Sequence, residues 1–125
     1  MTAHDLDGAR VLVVEDDVLI ALDIADSLEK GGATVVGPCC TLSAAHEAAC
    51  TMDVDLALLD VDLSGEKVFP VARILLTRGI PFMFQTGHND RDILKSEFSD
   101  VPVRAKPVEP RRLLTELSAL LRLAA

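Results

Sequence analysis

Leu56-Ala57-Leu58-Leu59-Asp60-Val61-Asp62-Leu63-Ser64-Gly65 opens as an apolar run, stops on an acid and then breaks into a loop. An apolar run of that length reads as a strand buried on both faces, the kind that parallel sheets use. The same grammar recurs on either side of it. Val11 to Val14 ends in Glu15-Asp16, Ile80 to Gln85 ends in Thr86-Gly87, and Val101 to Ala105 ends in Lys106-Pro107. The carboxyl ends of parallel strands are where open α/β sheets place their sites. Acids, a hydroxyl and one lysine are therefore expected to converge on one edge of the sheet, a set of groups that suits phosphoryl transfer.

Between these runs the periodicity turns helical. Val18, Ala21, Leu22, Ala25 and Leu28 recur on one face, Asp23, Asp26 and Lys30 fall on the other, and Gly31-Gly32 ends the pattern. Ala33 to Val36 predicts a short strand punctuated by Gly37-Pro38. Thr41 or Ser43 can cap a second helix running to about Met52, and Val68 to Arg78 predicts a third, stopped by Gly79. Residues 88 to 100 are polar, with Ile93, Leu94 and Phe98 as their few core candidates, so a helix there would be weakly anchored. Pro110 suits the first turn of a last helix with an apolar face of Leu113, Leu114, Leu117, Leu120 and Leu121. Five strands and five helices in strict alternation predict a parallel sheet covered on both faces.

Bulk properties narrow the function. The 125 residues make one domain with a self-sufficient core. No apolar run approaches the roughly 20 residues that cross a bilayer, and Met1-Thr2-Ala3-His4-Asp5 has neither part of a secretory signal, so a cytoplasmic protein without membrane contact is expected. A net charge of −8, four phenylalanines and no Trp or Tyr offer no basic stripe with stacking residues, which argues against nucleic acid. Cys39, Cys40 and Cys50 lack metal-ligand spacing and fit reduced thiols.

Leu12-Val13-Val14-Glu15-Asp16-Asp17, Leu58 to Gly65, Thr86-Gly87 and Lys106-Pro107, in that order and at those separations, resemble the receiver domain of two-component response regulators. The resemblance covers about residues 9 to 123 within a single domain of 1 to 125. Pro81-Phe82-Met83-Phe84-Gln85-Thr86-Gly87-His88 also resembles the Phe-Ala-Thr-Gly receivers, often single-domain proteins, with Gln85 in place of their alanine. This implies a doubly wound, flavodoxin-like α/β fold with strand order 2-1-3-4-5. With only Leu123-Ala124-Ala125 after the last helical pattern, no attached effector is expected.

The resemblance also implies roles. Asp60 would accept a phosphoryl group from a histidine kinase or a phosphotransfer protein, making the chain a phosphoacceptor rather than an enzyme. Output would pass to another protein, or the chain would serve as a phosphate shuttle or sink. Glu15, Asp16, Asp60 and the backbone carbonyl of Asp62 would hold Mg²⁺, whose charge lets a carboxylate approach a phosphoryl group. Lys106 and the Thr86 hydroxyl would report phosphorylation, with Lys106 mattering little for metal binding. The family's cis bond before the proline corresponds to Lys106-Pro107. Many receivers carry an aromatic ring three residues before the lysine that rotates inward on activation; Val103 stands there instead, so readout is expected to move to residues 87 to 100.

Simpler roles compete at several positions. Asp17 is expected to cap the first helix, the Asp62 side chain to be an idle loop acid, and His46 and His88 to be surface or loop residues. Asp60-Val61-Asp62 also resembles the Asp-x-Asp opening of haloacid-dehalogenase-type phosphatases, with Asp62 as general acid/base, but the motif sits on the third strand and leaves Glu15-Asp16 without a role. A non-phosphorylated docking module is the remaining alternative.

Overall fold

The computed structural model describes residues 6–87, 96–106 and 108–124. Along them run β1 (Arg10–Val14), α1 (Val18–Lys30), β2 (Thr34–Cys39), α2 (Leu42–Thr51), β3 (Leu56–Asp60), β4 (Asp62–Leu63), β5 (Glu66–Lys67), α3 (Phe69–Arg78), β6 (Phe82–Thr86), β7 (Val103–Ala105) and α4 (Pro110–Ala124). Five strands form one parallel sheet in the order β2-β1-β3-β6-β7, and β4 and β5 form a separate antiparallel pair. The main sheet thus follows the expected path, second, first, third, fourth and fifth, once the small pair is set aside. No helix among the described residues is long and apolar enough to cross a membrane.

Two expectations are corrected. The extra strand pair exists because Ser64 at φ 54° and Gly65 at φ 93° turn Asp62–Lys67 back on itself where a plain loop was expected. Four helices occur among the described residues instead of five. Most of the remaining helix's span, 88–95, lies outside those residues, and of positions 96 to 100 only 96 and 97 are helical.

Period-two alternation explains why these strands are apolar throughout. Val11, Val13, Leu56, Leu58 and Met83 pack with Ile24 and Leu28 of α1 and Leu113 and Leu117 of α4. Leu12, Val14, Ala57, Leu59, Phe82 and Phe84 face the opposite way, against Ala45 and Ala49 of α2 and Val71 and Leu75 of α3. A strand sandwiched like this has no solvent side on which a polar residue is tolerated until it ends. Polar groups therefore accumulate at the carboxyl edge.

Caps follow the sequence closely. Asp17 Oδ1 accepts the N–H groups of Leu19 at 3.0 Å and Ile20 at 3.2 Å, and Thr41 Oγ1 accepts that of Ala44 at 3.1 Å. Gly79 ends α3 at φ 71°, a left-handed conformation that favours glycine. Gly37-Pro38, a cis bond, does not end β2, which runs on to Cys39 with a register shift against β1 between Leu12 and Val14. Gly37 sits at φ 99°, where a Cβ would lie 2.6 Å from the Cys39 nitrogen.

Phe98, one of the few core candidates in its segment, is 2% exposed. Its ring stacks on Phe69 at 5.6 Å between centroids and meets Phe84 edge-on at 5.3 Å. This ring cluster anchors the chain entering β7, where Val101 donates its N–H to the Phe98 carbonyl at 3.0 Å. Phe98→Ala should destabilise the protein by about 3–5 kcal/mol in urea unfolding, the usual cost of truncating a buried phenylalanine. A loss below about 1 kcal/mol would show that the cluster closes up without it.

Candidate functional site

Register assembles the site. Val14 pairs with Leu59 and Asp60 with Gln85, so Glu15, Asp60 and Gln85 stand in a row across the ends of β1, β3 and β6. All three share the parity of Val13, Leu58 and Met83, the side covered by α1 and α4. Thr86 has the opposite parity. It is 5% exposed, and its carbonyl accepts the Lys106 N–H at 3.0 Å, which docks the end of β7 beside β6.

Glu15 is fully buried. Its Oε2 accepts the Asp17 N–H at 3.0 Å, while Oε1 meets Lys106 Nζ at 2.5 Å and Gln85 Nε2 at 3.5 Å. The same Nζ donates to Asp60 Oδ2 at 3.0 Å, and Asp60 is 4% exposed. One ammonium thus bridges two carboxylates. Asp16, half-buried, directs Oδ2 at the backbone N–H and the hydroxyl of Ser64, each at 3.0 Å, and so draws the β4–β5 turn toward the site. Ligand atoms of Glu15, Asp16 and Asp60 all lie within 4.8 Å of one another. Asp16, Asp60, Asp62, Ser64, Gly65, Gly87 and Lys106 line a cavity of about 270 Å³ over them.

Electrostatics follow from this crowding. Burial raises the proton affinity of Asp60, Lys106 offsets that in part, and Glu15 beside it adds repulsion, so the carboxyl is pushed up to about 7. Burial also works against the charged form of Asp16, yet hydrogen bonds involving Glu15, Ser64 and Asp60 outweigh it and hold the group below its ordinary value. Desolvation disfavours the Lys106 ammonium, but its bonds to Glu15 and Asp60 prevail and raise its value. Three carboxylates so close, with one monovalent cation between them, form a hard-oxygen group that could hold a divalent metal ion.

Several single-residue expectations are settled. Asp17 caps α1 as expected. The Asp62 side chain is not idle: Oδ1 accepts the Gly65 N–H at 2.8 Å and Oδ2 lies 3.6 Å from Lys67 Nζ, which shapes the turn. His46 is exposed on α2, with Nδ1 3.9 Å from Cys50 Sγ, and the three cysteines are free thiols. His88 and Pro107, and with the latter the bond it forms to Lys106, lie outside the described residues. Sequence reasoning missed two participants, Ser64 and Gln85. For Gln85 the signal was present: a polar residue at an in-register strand position otherwise reserved for the core.

A parallel, doubly wound sheet bearing an acidic trio and a lysine at its carboxyl edge is the arrangement of a phosphoacceptor signalling domain. Residues 11–118 match the response regulator receiver domain, and the chain belongs to that family. It is 34% identical over 121 residues to the phosphate regulon transcriptional regulatory protein PhoB of Pseudomonas aeruginosa, covering 92% of this chain and 52% of that one. It is 31% identical over 120 residues to the uncharacterized transcriptional regulatory protein YbdJ of Bacillus subtilis, covering 91% and 51%. The chain therefore spans about half the length of these curated relatives. The solution structure of SdrG from Sphingomonas melonis Fr1 is 38% identical, superposes with a TM-score of 0.77, and is covered over 99% of its length by 98% of this chain. As a member of that family the chain is a receiver domain, the signalling phosphoacceptor of phosphorelays. Nothing in the fold or the relatives supports the phosphatase reading of Asp60 and Asp62.

Proposed function

We propose that Asp60 is the phosphoacceptor, taking the group from a histidine kinase or phosphotransfer protein in the cytoplasm. The observation that carries this reading is the placement of the Asp60 carboxylate, at the floor of the cavity with Lys106 Nζ at 3.0 Å and two further acids beside it. A carboxylate oxygen bonds to phosphorus as the P–N bond of the phosphohistidine breaks, and the freed imidazole nitrogen takes up a proton. Glu15, Asp16 and Asp60, with the Asp62 carbonyl, would hold Mg²⁺, which when bound neutralises charge between acceptor and phosphoryl group. Ser64 orients Asp16. Lys106 exchanges its carboxylate partners for phosphoryl oxygens, and the Thr86 hydroxyl supplies a further donor.

The receiver is read as a single domain with its core at about 9–123. Pro81 to His88 supports placing it among the Phe-Ala-Thr-Gly receivers, and output runs through a protein partner or as a phosphate shuttle or sink. Small phosphodonors with Mg²⁺ should add one acid-labile, hydroxylamine-sensitive phosphate, and borohydride trapping followed by peptide mapping should locate it at Asp60. A label mapping to any other peptide would overturn the assignment.

A further inference from the structure

Gln85 is a polar side chain at a strand position with core parity, and it is 3% exposed against the fully buried Glu15. Its Nε2 lies 3.5 Å from Glu15 Oε1, the outer limit of a hydrogen bond, while Lys106 Nζ holds the same oxygen at 2.5 Å. The contact is long in a state where the lysine already satisfies that oxygen. With Lys106 in place Glu15 has no exposed surface, so its oxygens depend on protein donors. On the far side of Gln85 is a cavity of about 230 Å³ between α1 and α4, with Ile20, Ile24, Val108 and Leu113 in its wall.

We infer that Gln85 is a positioning residue: when Lys106 is drawn to the phosphoryl group, the amide becomes the donor to Glu15 Oε1 and holds that carboxylate in its ion-binding orientation. The inference rests on the reading of Asp60 and Lys106 given above. Without the amide, the departure of Lys106 leaves a buried carboxylate oxygen short of a donor, which costs free energy in the phosphorylated state alone. In the resting state Lys106 conceals the loss.

Gln85→Met keeps nearly the same volume without the amide, so it separates hydrogen bonding from packing. Calorimetric titration should show its affinity for beryllofluoride with Mg²⁺ about tenfold weaker than wild type, a clearly larger loss than for Mg²⁺ alone, while the melting temperature of the ligand-free protein changes little. Gln85→Ala should show the same pattern and serves if the methionine variant melts early. Unchanged beryllofluoride affinity would overturn the proposal, as would equal losses with and without beryllofluoride, the result expected of a merely structural residue. Failure of the underlying reading is distinguishable, since it would appear as beryllofluoride binding in Asp60→Asn.

Discussion

Asp60→Asn should take up no acid-labile phosphate, and in metal-free buffer at neutral pH it should melt later than wild type. The first effect is chemical: an amide has no anionic oxygen to attack phosphorus, and neither Asp16 nor Glu15 combines the floor position with the lysine contact, so labelling should fall to background. The second is electrostatic. The Asp60 carboxyl holds its proton up to about pH 7 in the folded protein, whereas an unfolded aspartate releases it near ~3.9. Its contribution to stability is full below the unfolded value, drains away between about pH 4 and 7, and is a constant cost above that. Asparagine is neutral throughout. The difference in stability should therefore be small near pH 4, widen to about pH 7 and level off, reaching on the order of a few kcal/mol, with the melting temperatures diverging in step. Mg²⁺ should narrow the gap by stabilising the wild type. A variant that melts with or below wild type at every pH would refute the crowding, and retained label would move the acceptor elsewhere.

The order of strands, the helices with strong amphipathic periods and the edge that carries the site were legible because burial on both faces forces long apolar runs that end abruptly on polar residues. Glu15, Asp60 and Lys106 lie together as their positions after those runs imply. Other features depended on contacts that no local pattern encodes. The β4–β5 pair is two residues on each side, too short to show a period, and is held by the Asp16–Ser64 bonds that span 48 positions. Gly37-Pro38 read as a stop because both residues usually break strands, yet β2 passes through them by shifting its register at an edge of the sheet. Phe98 looked like a minor anchor in a polar stretch, and only tertiary packing shows it inside a cluster of all four phenylalanines. Val103 packs against the core on the α2 and α3 side.

Lys106→Ala should bind Mg²⁺ about tenfold more tightly than wild type and should lose its conformational response to beryllofluoride. The sequence alone suggested little effect on the metal. The geometry changes that expectation, because Nζ lies 2.5 Å from Glu15 and 3.0 Å from Asp60, two of the three carboxylates that would coordinate the ion. A cation placed there competes with any other for the same oxygens, and a gain of about 1.4 kcal/mol in the ion's favour is a tenfold change. Removing the ammonium also leaves Glu15 buried without its main counter-charge, so the metal-free variant should lose on the order of 1–3 kcal/mol and recover most of it when Mg²⁺ is added. The phosphorylated state behaves in the opposite sense. Lys106 is the only cationic residue lining the cavity over Asp60 among the described residues, and phosphoryl oxygens arriving there would find no ammonium in the variant. Hydrogen exchange should then change little on adding beryllofluoride, where the wild type should gain protection in the Asp60 to Gly65 turn and around Thr86. Weaker Mg²⁺ binding in Lys106→Ala would show that the lysine organises the acids instead of competing for them, and an intact exchange response would remove it from the switch.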